Sequence, residues 1–501
     1  MAFGCCFVNV FPVEKNESFS FIWTQSAFRI SFDSAVEYGF ILDIHVPCEN
    51  NEVLVSSDCG NISLHTNSGW NSYPVFLKSL DGQYEVNVKK HFVPGDGDTR
   101  CLGMCIRDVK GIDKEKFDEL KWLEKKRENA YGNRIEYEQG KEILSYYPTQ
   151  LAIATEDRCN IGERQPCAYC DYKWAIRDAK KHPRKLLSMD NLDDYGDFLR
   201  YSDKVVDCSI GEPFMNKDFI SIIEKITTDK KLSFTTNGQF FVEKNIQALL
   251  GKDIDMYISI DAADAEMYSH YRNDKFDDII TNLRRLCSLK KEHNNLPIVY
   301  VSFIVMNSNK RIVRQWVKLM HDIGVDVLIL ARLNKAVSQD AAQPIMKNGY
   351  EFIYENEVIS DDDYAVATEE AQKEADKLGM KLINRSQHFI DIPQNGAPIC
   401  SDPWKSAYLL SKGISPCCYG SIIASWSQKP NDMSYFEYAK SVFNGEQMKD
   451  IRKHLAKGEF SSYCLSIKSC PIVDKYLGEV KSIDIGTDSG YIKSVDLNFK
   501  K

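Results

Sequence analysis

The segment MYISIDAADAEMYSHYRNDKFDDIITNLRRLCSL, residues 256–289, opens on a short apolar run and closes on an amphipathic one. Met256–Asp261 has the length and the aromatic and β-branched content of a strand. In the second half, Ile279, Ile280, Leu283, Leu286 and Leu289 fall on one helical face. The same unit recurs to either side. LAIAT (151–155), VVDCSI (205–210), LSFTTN (232–237), IVYVSFIVM (298–306) and VLILARL (327–333) are short apolar runs separated by longer amphipathic stretches. Six strand–helix repeats predict parallel strands joined by right-handed crossovers. Six is too few for a closed eight-stranded barrel, so the α/β architecture expected over 150–395 is a partial, TIM-like (β/α)6 barrel. Its sixth helix is predicted at DYAVATEEAQKEADKLG (363–379), after a loop near 336–362.

The flanks read differently. Within residues 1–110, FSFIWTQ, AFRISF, FILDIHV, EVLVSS, YPVFLKSL and YEVNVKK are aromatic and β-branched runs parted by Asn, Gly, Asp and Ser. That pattern predicts an N-terminal antiparallel β-sandwich. The charged stretch 111–149 predicts a helical connector. A small α+β, cysteine-rich domain is expected over 396–475, with a tail over 476–501.

A hydrophobic content of 43% and a charged content of 27% are those of a globular chain. The net charge of −9, without a basic tract, argues against nucleic acid as a partner. No apolar run approaches a membrane span, and the N-terminus lacks the basic and apolar regions of a signal peptide. A cytoplasmic location is expected. Sixteen cysteines in a reducing compartment point to metal binding. Scattered ones such as Cys208 and Cys287 read as small buried apolar residues. His270 and His321 lack a partner pattern and read as surface positions.

TEDRCNIGERQPCAYCDY (155–172) follows the first barrel strand and places Cys159, Cys167 and Cys170 within twelve residues. Three thiolates can close on one metal centre. A structural zinc site takes four protein ligands, whereas a cubane held by three cysteines keeps one iron open. A zinc knuckle with a distant fourth ligand is the alternative. After the next three strands come SIGEPFMNKDF (209–219), TTNG (235–238) and SIDAADAEMYSHYR (259–272), all at the carboxyl ends of strands, where barrel enzymes keep their chemistry.

Together these motifs resemble the radical S-adenosylmethionine (radical SAM) superfamily. Cys159-x7-Cys167-x2-Cys170 is longer than the usual Cys-x3-Cys-x2-Cys, and Tyr169 matches the aromatic before the last cysteine. The resemblance implies a [4Fe–4S] cluster on the three cysteines that binds S-adenosylmethionine and cleaves it to a 5′-deoxyadenosyl radical. It further implies that Gly211 and Glu212 bind the cofactor's amino group and that Thr236 and Asn237 form the Thr-Asn-Gly motif. Ser259 and Asp261 would face its ribose, and Arg272 its carboxylate.

A second group lies in CSDPWKSAYLLSKGISPCCYGSIIASW (400–426) and, further on, Cys464-x5-Cys470. It resembles the SPASM/twitch extension of the same superfamily. That resemblance implies one auxiliary [4Fe–4S] cluster on Cys400, Cys418, Cys464 and Cys470, with Cys417 as a spare; four cysteines also suit zinc. PGDGDTRCLGMCIRDV (94–109), with Asp98, Arg100, Leu102 and Gly103, resembles the end of a small β-domain found on bacterial enzymes of surface polysaccharide synthesis. The expected function is hydrogen abstraction from a sugar or surface-glycan component, giving oxidation, epimerisation or rearrangement, with a flavodoxin or ferredoxin as reductant. A peptide- or protein-modifying maturase is the alternative, and a zinc-stabilised glycan-binding protein is a non-catalytic one.

Overall fold

In the N-terminal region, strands form wherever alternate residues can be buried. The computed structural model describes residues 5–16, 18–94, 98–161, 166–170, 185–333, 343–385, 397–467, 470, 472–473, 480–485 and 492–497. Contacts divide the chain into two units, Met1–Glu128 and Asn129–Lys501.

The first unit holds eight antiparallel strands: β1 (Cys6–Lys15), β2 (Ser20–Ser31), β3 (Phe40–Val46), β4 (Asn51–Ser57), β5 (Gly60–Thr66), β6 (Gly69–Val75), β7 (Gln83–Val88) and β8 (Cys105–Gly111). Their order is β5-β4-β7-β2-β8-β3-β6, with β1 beside β2. The strand β2 pairs with β8 at Ile22 and Trp23, then with β7 from Ala27 to Ser31. The sheet therefore turns over along β2 and encloses a core that includes Phe28, Phe40, Ile44, Val55 and Val86. FSFIWTQ and AFRISF, read from sequence as two strands, are this one strand. The Asp-x-Arg motif is tied down locally: Arg100 bonds Asp98 and reaches Glu14 of β1 at 2.8 Å. Leu102 is buried, and a Cβ on Gly103 would stand 2.5 Å from the Gln25 carbonyl oxygen. These contacts give the motif a structural role within the sheet.

A helix spans Lys114–Glu138. The second unit then lays down β9 (Gln150–Ile153), β10 (Lys204–Asp207), β11 (Lys231–Thr236), β12 (Ile254–Ser259), β13 (Ile298–Val305) and β14 (Val327–Arg332). All six are parallel and hydrogen-bonded in sequence order, as predicted. The helix Phe276–Leu289 buries Phe276, Ile279, Leu283, Leu286 and Cys287 against them, and Asp361–Leu378 is the sixth helix.

The sheet is longer than the sequence suggested. After a hairpin, β15 (Ile345–Lys347) and β16 (Tyr350–Phe352), the strand β17 (Lys381–Asn384) adds in parallel beside β14. At the other edge, β18 (Ser406–Leu409) adds in parallel beside β9, followed by β19 (Gly413–Ser415) and β20 (Ala424–Ser425). The cysteine-rich segment thus continues the barrel sheet. Trp404, fully buried, fixes it: its indole N–H donates to the Lys141 carbonyl at 2.9 Å, and Asn133 donates to the Trp404 carbonyl at 2.9 Å. In the tail, β21 (Val480–Ile485) pairs antiparallel with β22 (Ile492–Leu497). Among the described residues, no helix is long and apolar enough to cross a membrane.

Candidate active site

The carboxyl ends of β9, β10 and β11 are laced together by buried polar groups. The Asp207 carboxylate accepts from the Thr155 amide and hydroxyl at 3.0 and 2.9 Å and from the Ser209 hydroxyl at 2.6 Å. Burial pushes its carboxyl up to about 6, against these hydrogen bonds. Ser209 Oγ in turn accepts from the Glu156 amide at 2.9 Å. The chain leaving β9 is therefore fixed just ahead of Cys159.

Gly211 shows why this turn needs glycine. A Cβ there would stand 2.0 Å from the Arg158 carbonyl oxygen and 2.7 Å from its nitrogen. The Gly211 amide donates to the Glu156 carbonyl at 3.2 Å and the Glu212 amide to that of Arg158 at 2.8 Å. The Glu212 side chain is buried and turned to β11. It accepts from Thr236 Oγ1 and the Asn237 amide, each at 2.8 Å. Burial pushes its carboxyl up to about 7. Asn237 completes the link: its Nδ2 donates to Asn160 Oδ1 at 2.8 Å and lies 4.0 Å from Cys159 Sγ. Gly211, Glu212, Thr236, Asn237 and Cys159 thus share one corner.

Cys167 and Cys170 sit on the β12–β13 side. The Cys170 amide donates to the Cys167 carbonyl at 3.1 Å, and the Ala168 amide to that of Tyr271 at 2.9 Å. Between them, the Tyr169 hydroxyl donates to Asp261 Oδ2. Arg272 Nε donates to the Tyr169 oxygen at 2.9 Å, and its terminal nitrogen to Asp261 Oδ2 at 3.0 Å. Asp261 Oδ1 accepts from the Ile304 amide at 2.8 Å. All three side chains are buried, so in this structure Asp261 and Arg272 are spent on one another and on Tyr169. Ser259, half-buried at the end of β12, has Ser302 Oγ 3.5 Å away. Residues 162–165 of the long Cys159–Cys167 loop lie outside the described residues.

One residue escaped the sequence reading. Lys347, on the β15–β16 hairpin, is 1% exposed and donates to the Arg272 carbonyl. Burial pulls its ammonium down, with the Arg272 charge adding to that fall and the Cys167 and Cys170 charges opposing it. No motif announced it; a lysine in a loop looks like solvent-facing charge. His270 stacks on Tyr350 of the same hairpin, with centroids 4.8 Å apart.

The second cysteine group lines a cavity. Cys400, Cys417, Cys464 and Cys470 stand on its wall, which is otherwise largely apolar, with Ile451, Leu455 and Phe460 among its lining. Burial lifts the Cys400 and Cys464 thiols, and that of Cys417 up to about 12. Cys418 is exposed and does not line the cavity; its amide lies 3.5 Å from Asp402 Oδ2. Among the described residues, no three potential ligands converge on one point as a single metal ion requires.

The donor sets fit iron–sulfur chemistry. Three thiols flank the strand ends, with a glycine turn pressed against the chain before the first, and four more surround a cavity elsewhere. Residues 155–306 match the model of the Radical SAM superfamily. Residues 155–306 thus form a Radical SAM superfamily domain on a partial (β/α) barrel, a class of domain that works with a [4Fe–4S] cluster and S-adenosylmethionine. Over 162 residues the chain is 25% identical to a GTP 3′,8-cyclase of Desulforamulus reducens, which covers 30% of this chain and 46% of that enzyme, so the match spans about half the relative's length. Among solved structures, it is similar to Streptococcus suis SuiB bound to the precursor peptide SuiA, at 13% identity and a TM-score of 0.43, covering 81% of this chain and 89% of that one. It is also similar to anSMEcpe with bound AdoMet, at 15% identity and a TM-score of 0.40, covering 65% and 96%.

Proposed function

We propose that this enzyme abstracts hydrogen from a carbohydrate substrate and carries a second, fully protein-ligated [4Fe–4S] cluster in a SPASM/twitch-like segment. The observation that carries the second cluster is the cavity with four thiols on its wall. Four thiols around one cavity match the number that holds a fully protein-ligated cubane.

Cys159, Cys167 and Cys170 hold the first cluster, which supplies the one-electron cleavage of S-adenosylmethionine. The protein's own part is placement. The turn at Gly211 and Glu212 presents backbone toward the cofactor's amino group, and Glu212 stiffens that turn through Thr236 and Asn237. Ser259 faces the ribose. The Arg272–Asp261 pair holds Tyr169, and with it the segment that bears Cys167 and Cys170. A flavodoxin or ferredoxin supplies the electron.

The sugar reading is supported by the outer face of the N-terminal sheet. There His45 lies between Trp23 and Trp70, with centroids 6.4 and 5.5 Å away, and Phe19 stands 5.0 Å from Trp70. Arg107 lies 4.9 Å over Trp70 and is bonded to Asp43 at 2.7 Å. Half-exposed rings beside a charged pair suit the apolar faces and hydroxyls of a sugar.

Anaerobic reconstitution tests the proposal. About eight irons per chain, and 5′-deoxyadenosine formed under reduction, are expected for two cubanes. Nucleotide sugars, and not peptides, should raise 5′-deoxyadenosine formation. Stimulation by peptide alone would make the protein a peptide maturase.

A further inference from the structure

We propose that the fourth ligand of the auxiliary cluster is Cys417, and that Cys418, one residue on, is not a ligand. This rests on the auxiliary-cluster reading above and departs from the spacing Cys400-x12-Gly413-x4-Cys418, which selects Cys418.

Cys417 and Cys418 are neighbours in the turn after β19, and one of them faces the cavity. The structure shows which one does. Cys417 lines the cavity together with Cys400, Cys464 and Cys470. Cys417 lies within electrostatic reach of Cys464 and Cys470, and Cys400 within reach of Cys417 and Cys464. Cys418 is not among the residues that line the cavity. Its backbone N–H lies 3.5 Å from Asp402 Oδ2, and the Tyr408 hydroxyl donates to that oxygen at 3.2 Å.

The orientation is pinned from three sides. Ser415 Oγ donates to the Cys417 and Gly420 carbonyls at 2.9 and 3.1 Å, which closes the turn on itself. The Tyr463 hydroxyl donates to the Ser421 carbonyl at 2.6 Å, which ties the turn to the short helix Ser462–Leu465 that bears Cys464. A Cβ at Gly420 would stand 2.3 Å from the Tyr463 hydroxyl and 3.1 Å from Cys417 Sγ, so a side chain there would push the turn away from both. Bringing Cys418 into the cavity would break the Asp402 contacts and turn Cys417 out toward solvent. Gly413 and the Pro416 that precedes the pair are where the usual spacing would put them. Of the two adjacent cysteines, Cys417 alone stands on the cavity wall.

The test uses the full chain with Cys159, Cys167 and Cys170 replaced by Ala, so that only the auxiliary site can load. After anaerobic reconstitution, iron, zinc and acid-labile sulfide are counted in this parent and in parents that also carry Cys417→Ala or Cys418→Ala. The parent should hold about four irons, Cys418→Ala should keep them, and Cys417→Ala should lose them. Melting of the unloaded proteins checks folding, and Cys417→Ser, closer in size, replaces the alanine variant if that fails to fold. A parent with four irons whose Cys418→Ala loses them, or whose Cys417→Ala keeps them, overturns the ligand assignment alone; loss in both variants also overturns it. A parent that binds no iron, or one zinc, overturns the assignment together with the auxiliary-cluster reading.

Discussion

Gly211 lies so close to Arg158 that a Cβ would stand 2.0 Å from the Arg158 carbonyl oxygen, in the residue next to Cys159. Neither partner can yield cheaply, because both are backbone. The Arg158 carbonyl is already held by the Glu212 amide at 2.8 Å. Gly211→Ala should therefore displace Cys159 and leave the auxiliary site intact. Expected are a loss of about four irons of eight and a drop in S-adenosylmethionine cleavage of at least about ten-fold, or ~1.4 kcal/mol. Iron counts and 5′-deoxyadenosine assays check both, and full iron content would refute the account.

Glu212 makes a pH-dependent contribution whose sign follows from its burial. Its carboxyl rises from 4.5 to about 7 on folding, so the folded state holds a proton that the unfolded state releases. Its contribution is thus complete below about 4.5 and is lost as pH rises toward 7. Glu212→Gln removes this loss. The difference in stability between the variant and the native chain should move in the variant's favour, by roughly 1–3 kcal/mol, between pH 5 and 7. Denaturant midpoints of the unloaded proteins measure it, and a difference independent of pH would show that burial does not control this carboxyl.

How far sequence led is visible in particular elements. The six barrel strands were legible because each is a short run of mostly apolar residues set between longer amphipathic stretches, as in Ile254–Ser259. The strand Lys381–Asn384 was not, since four residues with an exposed lysine carry no recognisable period. Nor was Ser406–Leu409, whose residues looked like a cysteine-domain segment and whose partner, β9, lies 256 residues away along the chain at Gln150↔Ser406. Glu212 and Asn237 were legible as motif residues, whereas their mutual hydrogen bond was not. Lys347 gave no signal, because its burial comes from a hairpin packing on the segment around Tyr169, and periodicity does not encode such long-range packing.

Asp261 is the counter-charge that makes burial of Arg272 tolerable. Their side chains are 1% and 8% exposed, and the same carboxylate also holds the Ile304 amide. Removing one partner leaves the other charged and dry, at a cost of about 3–5 kcal/mol. Asp261→Ala should therefore destabilise the protein in the absence of cofactor, whereas Ser259→Ala, which loses only a 3.5 Å contact, should cost less than about 1 kcal/mol. Chemical denaturation of both unloaded variants decides. Equal, small effects would mean that Asp261 is reserved for the cofactor's ribose and not for the fold.

Lys347 bears on the cluster through charge. A buried ammonium within electrostatic reach of Cys167 and Cys170 stabilises the more negative, reduced form of whatever they hold. Lys347→Met keeps the bulk and removes the charge, so the midpoint potential of the first cluster should fall. At an effective dielectric near 20 and a separation of several ångströms, a unit charge gives a shift on the order of 100 mV. Redox titration of protein lacking Cys417, so that only the first cluster is present, would read it directly. The variant should also need a stronger reductant to reach the same cleavage rate, with its iron content unchanged. An unshifted potential would mean that the Lys347 charge is fully neutralised by its local contacts and serves only to hold the hairpin against Arg272.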